Sequence, residues 1–593
     1  MDIPVNYQKR KNHSLFKDLE QHKGIQLSNL QNYIPIYQQL FALNNNNYNS
    51  INLNHFWSIS GIKDNHLDKT ENAFTCTIQS DLDISFEQQV FFKMAPLLDP
   101  FKYIVGKYNH TDPNLFTLPS LESNMQVHPK LLDANNSSYV DGFFVFLSSQ
   151  VLNCKKFIHG IDYYGSFLAI KNNFKLNIID DLDYLIKSEF FNKQTNVMFQ
   201  VEEFSHLIEY ESPSLIPIKI HSDSKKSFSI SAKSIHDDIF ENIFEHTIES
   251  TLEHTNHVNL SDLKESDLKE SIDLVDVTNN FFELNSNNIT IKSSSTCSSR
   301  TSHTHTDDTN SQVSDTDSLS ENSNSKDREN MSHHTSEYSE EEEKIHVNIP
   351  KFPVQVICME KCEHTFDELI LNDNLSKDEW FSAFMQIIMT LLTYQKLFSF
   401  THNDLHTNNI MYNTTTTQFI YYVYNKKYYK VPTFGRIYKI IDFGRAIYKF
   451  NGKTFCSDSF KTGGDATTQY NTEPYFNENK PRLEPNYSFD LCRLACSIFD
   501  YLVDDFDNLK QLEQKNSVVK LIVEWCLDDN GLNVLYKNNG MERYPDFKLY
   551  KMIARFVHKH TPVAQLERPE FKKYIIKKIN IQKNVIIMNI DDM

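Results

Sequence analysis

The stretch His402-Asn403-Asp404-Leu405-His406-Thr407-Asn408-Asn409, with Asp442-Phe443-Gly444 starting 38 residues after Asp404, decides how this chain of 593 residues is read. Taken singly, each is a polar turn of the kind an Asn-rich chain produces. Their order and settings add the information. The first directly follows DEWFSAFMQIIMTLLTYQKLFSF, a helical pattern whose apolar residues nearly encircle it and which must therefore be buried. The second directly follows RIYKII, an apolar strand.

Working outward, PVQVICMEK reads as a strand and SFDLCRLACSIFDYLV as a second buried helix. Upstream, NAFTCTIQS and QQVFFKMAPL read as consecutive strands, YVDGFFVFLSSQVL as a helix and DYYGSFLAI as a further strand. The pattern predicts an α+β chain with a small β-rich block over 51–210 and a larger helical block over 349–593. Residues 1–50 are polar and Asn-rich, and read as an N-terminal extension that packs peripherally. Between the blocks, 211–348 carries the tandem pentapeptide SDLKE at Ser261–Glu265 and Ser266–Glu270, a Ser/Thr tract and the acidic run Glu340–Glu343. It has too few apolar residues to offset roughly 1–2 kcal/mol of backbone ordering entropy per residue, so a disordered insert is expected. Ser314 and Ser339 precede acidic residues there and are candidate phosphorylation sites.

Composition narrows the function classes. With 13 Gly, 18 Pro and 40% hydrophobic residues the chain is neither collagen-like nor low-complexity throughout, and it can bury a core. A net charge of −19 argues against a generally basic nucleic-acid binder, so no direct nucleic-acid contact is expected. Much of that charge is local: Thr301–Lys344 holds 12 acidic and 3 basic residues. Nine scattered cysteines fit a reducing compartment better than a disulfide framework, and Cys492 and Cys496, at helical spacing, read as small buried hydrophobes. The opening MDIPVNYQKRKN has no apolar core, and no apolar run reaches the roughly 18 residues of a membrane span. A soluble, intracellular protein without membrane contact, monomeric rather than oligomeric, is expected.

The two stretches fit H-x-D-L-x-x-x-N and D-F-G, and over 51–210 and 349–593 the chain resembles the protein-kinase-like superfamily. The catalytic segment is most similar to haspin-type atypical kinases, which share His at the position of His406 and a long hairpin between the motifs, here QFIYYVYNKKYYKVPTFGRIYK. The Asn-rich composition resembles proteins of giant DNA viruses, which implies host cytoplasm or virion as the location. The resemblance implies a bilobal fold, with a small β-rich lobe and a larger helical lobe, that binds ATP and Mg²⁺ and acts on a protein substrate. Phosphoryl transfer requires positioning and charge neutralisation more than covalent help. Asp404, in its loop with His402 and His406, is then the base for the substrate hydroxyl. Asn409 and Asp442 are oxygen ligands for Mg²⁺, a hard cation.

Other roles follow from the same resemblance. Glu360 and Cys362, in Met359-Glu360-Lys361-Cys362, correspond to the hinge that meets adenine. Lys93 corresponds to the strand lysine on the α/β-phosphates, with Asp141 as its carboxylate partner, shorter than the family's Glu. Asp490 corresponds to the helix aspartate that braces the catalytic loop. The chain departs from the pattern in three places. Gly61 alone stands where a glycine-rich phosphate loop is expected, Asn403 replaces the arginine before the catalytic aspartate, and no A-P-E is present. Without that arginine, switching through an activation-loop phosphate is not expected. The leading expectation is a Ser/Thr protein kinase; the alternatives are a catalytically weak scaffold and a kinase of a small-molecule hydroxyl.

Overall fold

A computed structural model describes residues 3–63, 72–80, 82, 84–122, 126–204, 344–503, 508–537, 540–545, 547–581 and 585–593, together with the backbone of 208–210 and 289–291. The chain is a mixed α+β protein, β-rich towards its N-terminus and helical towards its C-terminus. One compact unit comprises Met1–Phe204 with Ser293–Met593. In the other, Ser205–Lys292, Ile208–Tyr210 pairs antiparallel with Ile289–Ile291. Of the tract expected to be disordered, 211–288 and 292–343, including the SDLKE repeat, Ser314 and Ser339, lie outside the described residues.

The N-terminal part is built on an antiparallel sheet of seven strands: β1 (Leu27–Gln31), β2 (Trp57–Ile62), β3 (Ala73–Ser80), β4 (Ser85–Pro96), β5 (Tyr163–Asn177), β6 (Gln200–Val201) and β7 (His346–Glu360). The order is β1-β5-β7-β4-β3-β2, with β6 also on β7. Two boundaries differ from the sequence reading. Residues 1–50 are not peripheral: β1 pairs with β5, and Ile25, Leu27, Tyr33, Ile36 and Tyr37 are buried. Their apolar residues are sparse, but Leu27 lies in the sheet and Tyr37 meets Tyr163 of β5. β7 begins at His346, inside the expected insert, because His346–Asn348 continue the ladder with β5.

β7 is buried on both faces from Phe352 to Met359, which explains its unbroken apolar run. One face is covered by α1 (Ser137–Lys155), buried from Ser138 to Val151. Gly142 permits the close approach, since a Cβ there would lie 2.3 Å from Gln355 Nε2.

The central helix of the C-terminal part is α2 (Lys377–Phe398), buried from Trp380 to Gln395 and at Phe398. A capping box starts it: Glu379 N–H donates to Ser376 Oγ (3.4 Å) and Ser376 N–H to Glu379 Oε2 (2.9 Å). Ser399, at φ 49°, stops it. Strands β8 (His364–Thr365), β9 (Ile410–Thr414) and β12 (Arg436–Ile440) form one sheet in the order β8-β9-β12. The intervening hairpin, β10 (Phe419–Tyr424) with β11 (Lys427–Pro432), is flanked by Ile575–Ile576 and Ile587–Asn589. β13 (Ile447–Phe450) pairs with β14 (Lys453–Cys456), and helices α3 (Phe489–Leu502), α4 (Ser517–Trp525) and α5 (Lys548–Phe556) follow. Cys492 and Cys496 are buried in α3. Among the described residues, no helix is long and apolar enough to cross a membrane.

Candidate active site

Adjacent strands bring the two motif stretches together. β9 leaves the first and β12 enters the second, with Ile410 opposite Ile440, and Ile441 N–H donates to Asn409 O at 3.0 Å. The loop before β9 is braced from α3, where both oxygens of buried Asp490 accept backbone N–H groups, from His402 and Asn403, each at 2.9 Å. These bonds hold Asn403 at φ 64°, a conformation Asn tolerates. Asn409 Nδ2 donates to Asp404 O at 2.8 Å, so Oδ1 is the atom that would serve a cation. His402 Nδ1 accepts from Asp404 N–H at 3.3 Å, so Nε2 is the protonated nitrogen and donates to Ile441 O at 2.9 Å.

Lys93, on β4, reaches Asp141 Oδ2 at 2.6 Å and Asp442 Oδ1 at 2.9 Å. Asp141 Oδ1 also accepts Phe443 N–H at 2.8 Å. One turn further along α1, Phe144 packs on Phe443 with ring centroids 4.6 Å apart, and His402 lies 5.8 Å from the same ring. A single helix therefore sets both the carboxylate and the apolar stop behind Asp442. Asp is long enough for Lys93 because Gly142 lets the helix sit close to the sheet.

The electrostatics follow from these contacts. The Asp442 side chain is half exposed, so burial works only in part against its charge, and the Lys93 ammonium prevails and holds its carboxyl at about 2. Burial likewise opposes the Lys93 charge, and Asp141 with Asp442 outweigh it and raise its pKa. Asp404 stays below the usual carboxylate range in spite of burial, through the Arg445 and Arg493 guanidiniums and the Tyr550 hydroxyl. Burial pushes His406 down to about 4, so it is neutral at pH 7. A cavity of about 420 Å³ opens beside Asp404 and Asp442, with Arg445, Asp465, Lys102 and Lys130 on its wall. Among the described residues, no group of three or more His, Cys, Asp or Glu could hold a metal ion. Asp442 and Asn409 are the oxygen donors that would hold a cation here, and such a cation would take its other oxygens from water or a ligand, as Mg²⁺ does where protein ligands are few.

The remaining sequence candidates are placed differently. Glu360 ends β7 with its N–H on Asp162 O (3.0 Å), while its carboxylate is an internal clamp: Lys439 Nζ lies at 2.9 Å and Asp162 N–H donates at 2.8 Å. Cys362 is buried beside it, with its thiol pushed up to about 12 by burial. Gly61 is an ordinary position in β2, where a Cβ would meet only Thr77 Oγ1 at 3.9 Å, and 64–71 lie outside the described residues.

Several residues of the site carry no sequence signal. Arg445 follows Gly444 directly and binds Asp465 at 2.9 Å, while Tyr550, on α5, donates to Asp404 and accepts from Arg493, on α3. Buried Asn403 is not a missing function but a tie: it accepts Tyr470 O–H (2.8 Å) and donates to Arg445 O (3.0 Å). Asp458 accepts Ser137 N–H at 3.0 Å and pairs with Lys130, which fastens the start of α1. The chain matches no protein-family model and no curated protein.

Proposed function

We propose that the chain is a Mg-ATP-dependent serine/threonine protein kinase with a bilobal kinase-like fold. The observation that carries the reading is that Lys93 joins Asp141 to Asp442, Asn409 binds the backbone of Asp404, and Asp404 and Asp442 line one cavity. Spacing alone does not demand it. Lys93 offers its ammonium to phosphate oxygens, with Asp141 orienting it. Asp442 and Asn409 would hold Mg²⁺, which would supply charge neutralisation at the phosphates. Asp404 orients the substrate hydroxyl and takes its proton as the new O–P bond forms and the bond to ADP breaks; the proton then passes to solvent.

The test incubates purified chain with labelled ATP and Mg²⁺, with and without a generic protein substrate, beside Asp404→Asn and Asp442→Ala. Phosphate on protein that vanishes in both variants is the expected result. Absence of both transfer and a nucleotide-dependent thermal shift would instead identify a scaffold. Turnover only with small alcohols or aminoglycosides would identify a small-molecule kinase.

A further inference from the structure

Asp404 is met from the side of α5 by a residue outside both motifs. Tyr550 donates its hydroxyl to Asp404 Oδ1 at 2.7 Å and accepts Arg493 Nε–H at 2.9 Å. An oxygen that accepts from an arginine has one proton to give, so the direction of both bonds is fixed. The ring cannot swing away. Tyr550 is 3% exposed, stacked on Phe547 with centroids 5.1 Å apart, and has the Arg493 and Arg445 guanidinium carbons 5.3 and 5.7 Å from its centroid. Arg493 is equally enclosed, three residues beyond the Asp490 that braces the Asp404 loop. One element thus fixes the backbone just before Asp404, at His402 and Asn403, and, through Tyr550, the Asp404 carboxylate.

We propose that Tyr550, held by Arg493, is a positioning residue for Asp404: it occupies Oδ1 and so presents Oδ2 to the accepting hydroxyl. The inference rests on the kinase reading for its consequence but not for its geometry. The other titratable groups facing Asp404 are Arg445, His406 and Asp490, with His402 bound to its N–H. None of these donates to the Asp404 carboxylate, so the hydroxyl of Tyr550 has no substitute among them.

Tyr550→Phe keeps the ring and removes the hydroxyl. In the full chain, kcat should fall about tenfold, a part of the 10²–10⁴ that a positioned base contributes, at unchanged KM for ATP. The second readout does not need activity. With ¹³C-labelled aspartate, the Asp404 carboxyl signal, assigned by its loss in Asp404→Asn, should titrate at higher pH in Tyr550→Phe than in the wild type. A kcat that is unchanged, or that rises because the hydroxyl was only a plug, overturns the proposal, as does an unshifted titration. If the wild type transfers no phosphate, the kinase reading fails while the titration still decides the role of Tyr550. Arg493→Lys, which keeps the charge but loses the Nε donor, should shift the titration in the same direction if Tyr550→Phe does not fold.

Discussion

Replacing Lys439 by Met removes the cation from a clamp that joins the end of β7 to the C-terminal part of the chain. Lys439, on β12, is 6% exposed and its Nζ makes three contacts: Glu360 Oε1 at 2.9 Å, Oε2 at 3.0 Å and Gly160 O at 2.6 Å. The Glu360 side chain is 15% exposed and also accepts from Asp162 N–H and Asn413 Nδ2. Removing one partner of a buried pair costs about 3–5 kcal/mol, because the other charge is left enclosed without compensation. Two donors remain on Glu360, each worth about 1 kcal/mol, and Met keeps the apolar stem of the lysine. The expected loss is therefore near the lower end, ~3 kcal/mol. Glu360→Gln strands the lysine instead and should cost about as much. The double variant leaves no unpaired charge, so its cost should be smaller than the sum by about 2 kcal/mol. Equilibrium urea unfolding at pH 7, followed by the fluorescence of buried Trp380 and Trp525, measures all three. A Lys439→Met cost below about 1 kcal/mol, or strict additivity, would refute the clamp.

Two further predictions concern pH and the start of α1. His159 is buried, donates from Nδ1 to Tyr438 O (2.7 Å) and accepts from Tyr422 O–H at Nε2 (2.6 Å); burial lowers it to about 3. Its folded value lies below the unfolded value of about 6.5, so its contribution is complete above pH 6.5 and is lost as pH falls towards 3. His159→Gln should make the stability–pH slope between pH 6 and 4 shallower by about 1.4 kcal/mol per unit, and an identical slope would sink the assignment. Asp458→Ala should weaken the N-terminus of α1 by about 1–2 kcal/mol and speed amide exchange over Ser137–Val140. Asp458→Asn, which keeps the acceptor, should do so less, and exchange equal to wild type in both would remove Asp458 from this role.

Much of the secondary structure was legible because it rests on periodicity. The encircled apolar pattern of Trp380–Phe398 can only be satisfied by burial on all sides, and the unbroken run in Pro353–Met359 only by a strand covered on both faces. The boundaries at 1–50 and at His346 were misread for the same reason. A strand that completes a ladder through its backbone needs few apolar side chains: Leu27–Gln31 shows little of the alternation that marks a half-buried strand, and in His346–Asn348 the alternation is only three residues long and adjoins a polar tract. Glu360 was legible as the end of an apolar strand, but not as the partner of Lys439, which lies 79 residues away.

The candidate site divides along the same line. Composition, periodicity and the spacing of Asp404, Asn409 and Asp442 determined, from the sequence by itself, an α+β chain with a polar loop after a buried helix and a second after an apolar strand. Only the tertiary structure decided that Lys93 meets both Asp141 and Asp442, that Asn403 is a buried tie and that Tyr550 holds Asp404. The physical reason is separation along the chain. Asp404 and Tyr550 are 146 residues apart and share no periodic pattern, so their contact exists only once the helices that carry it have packed.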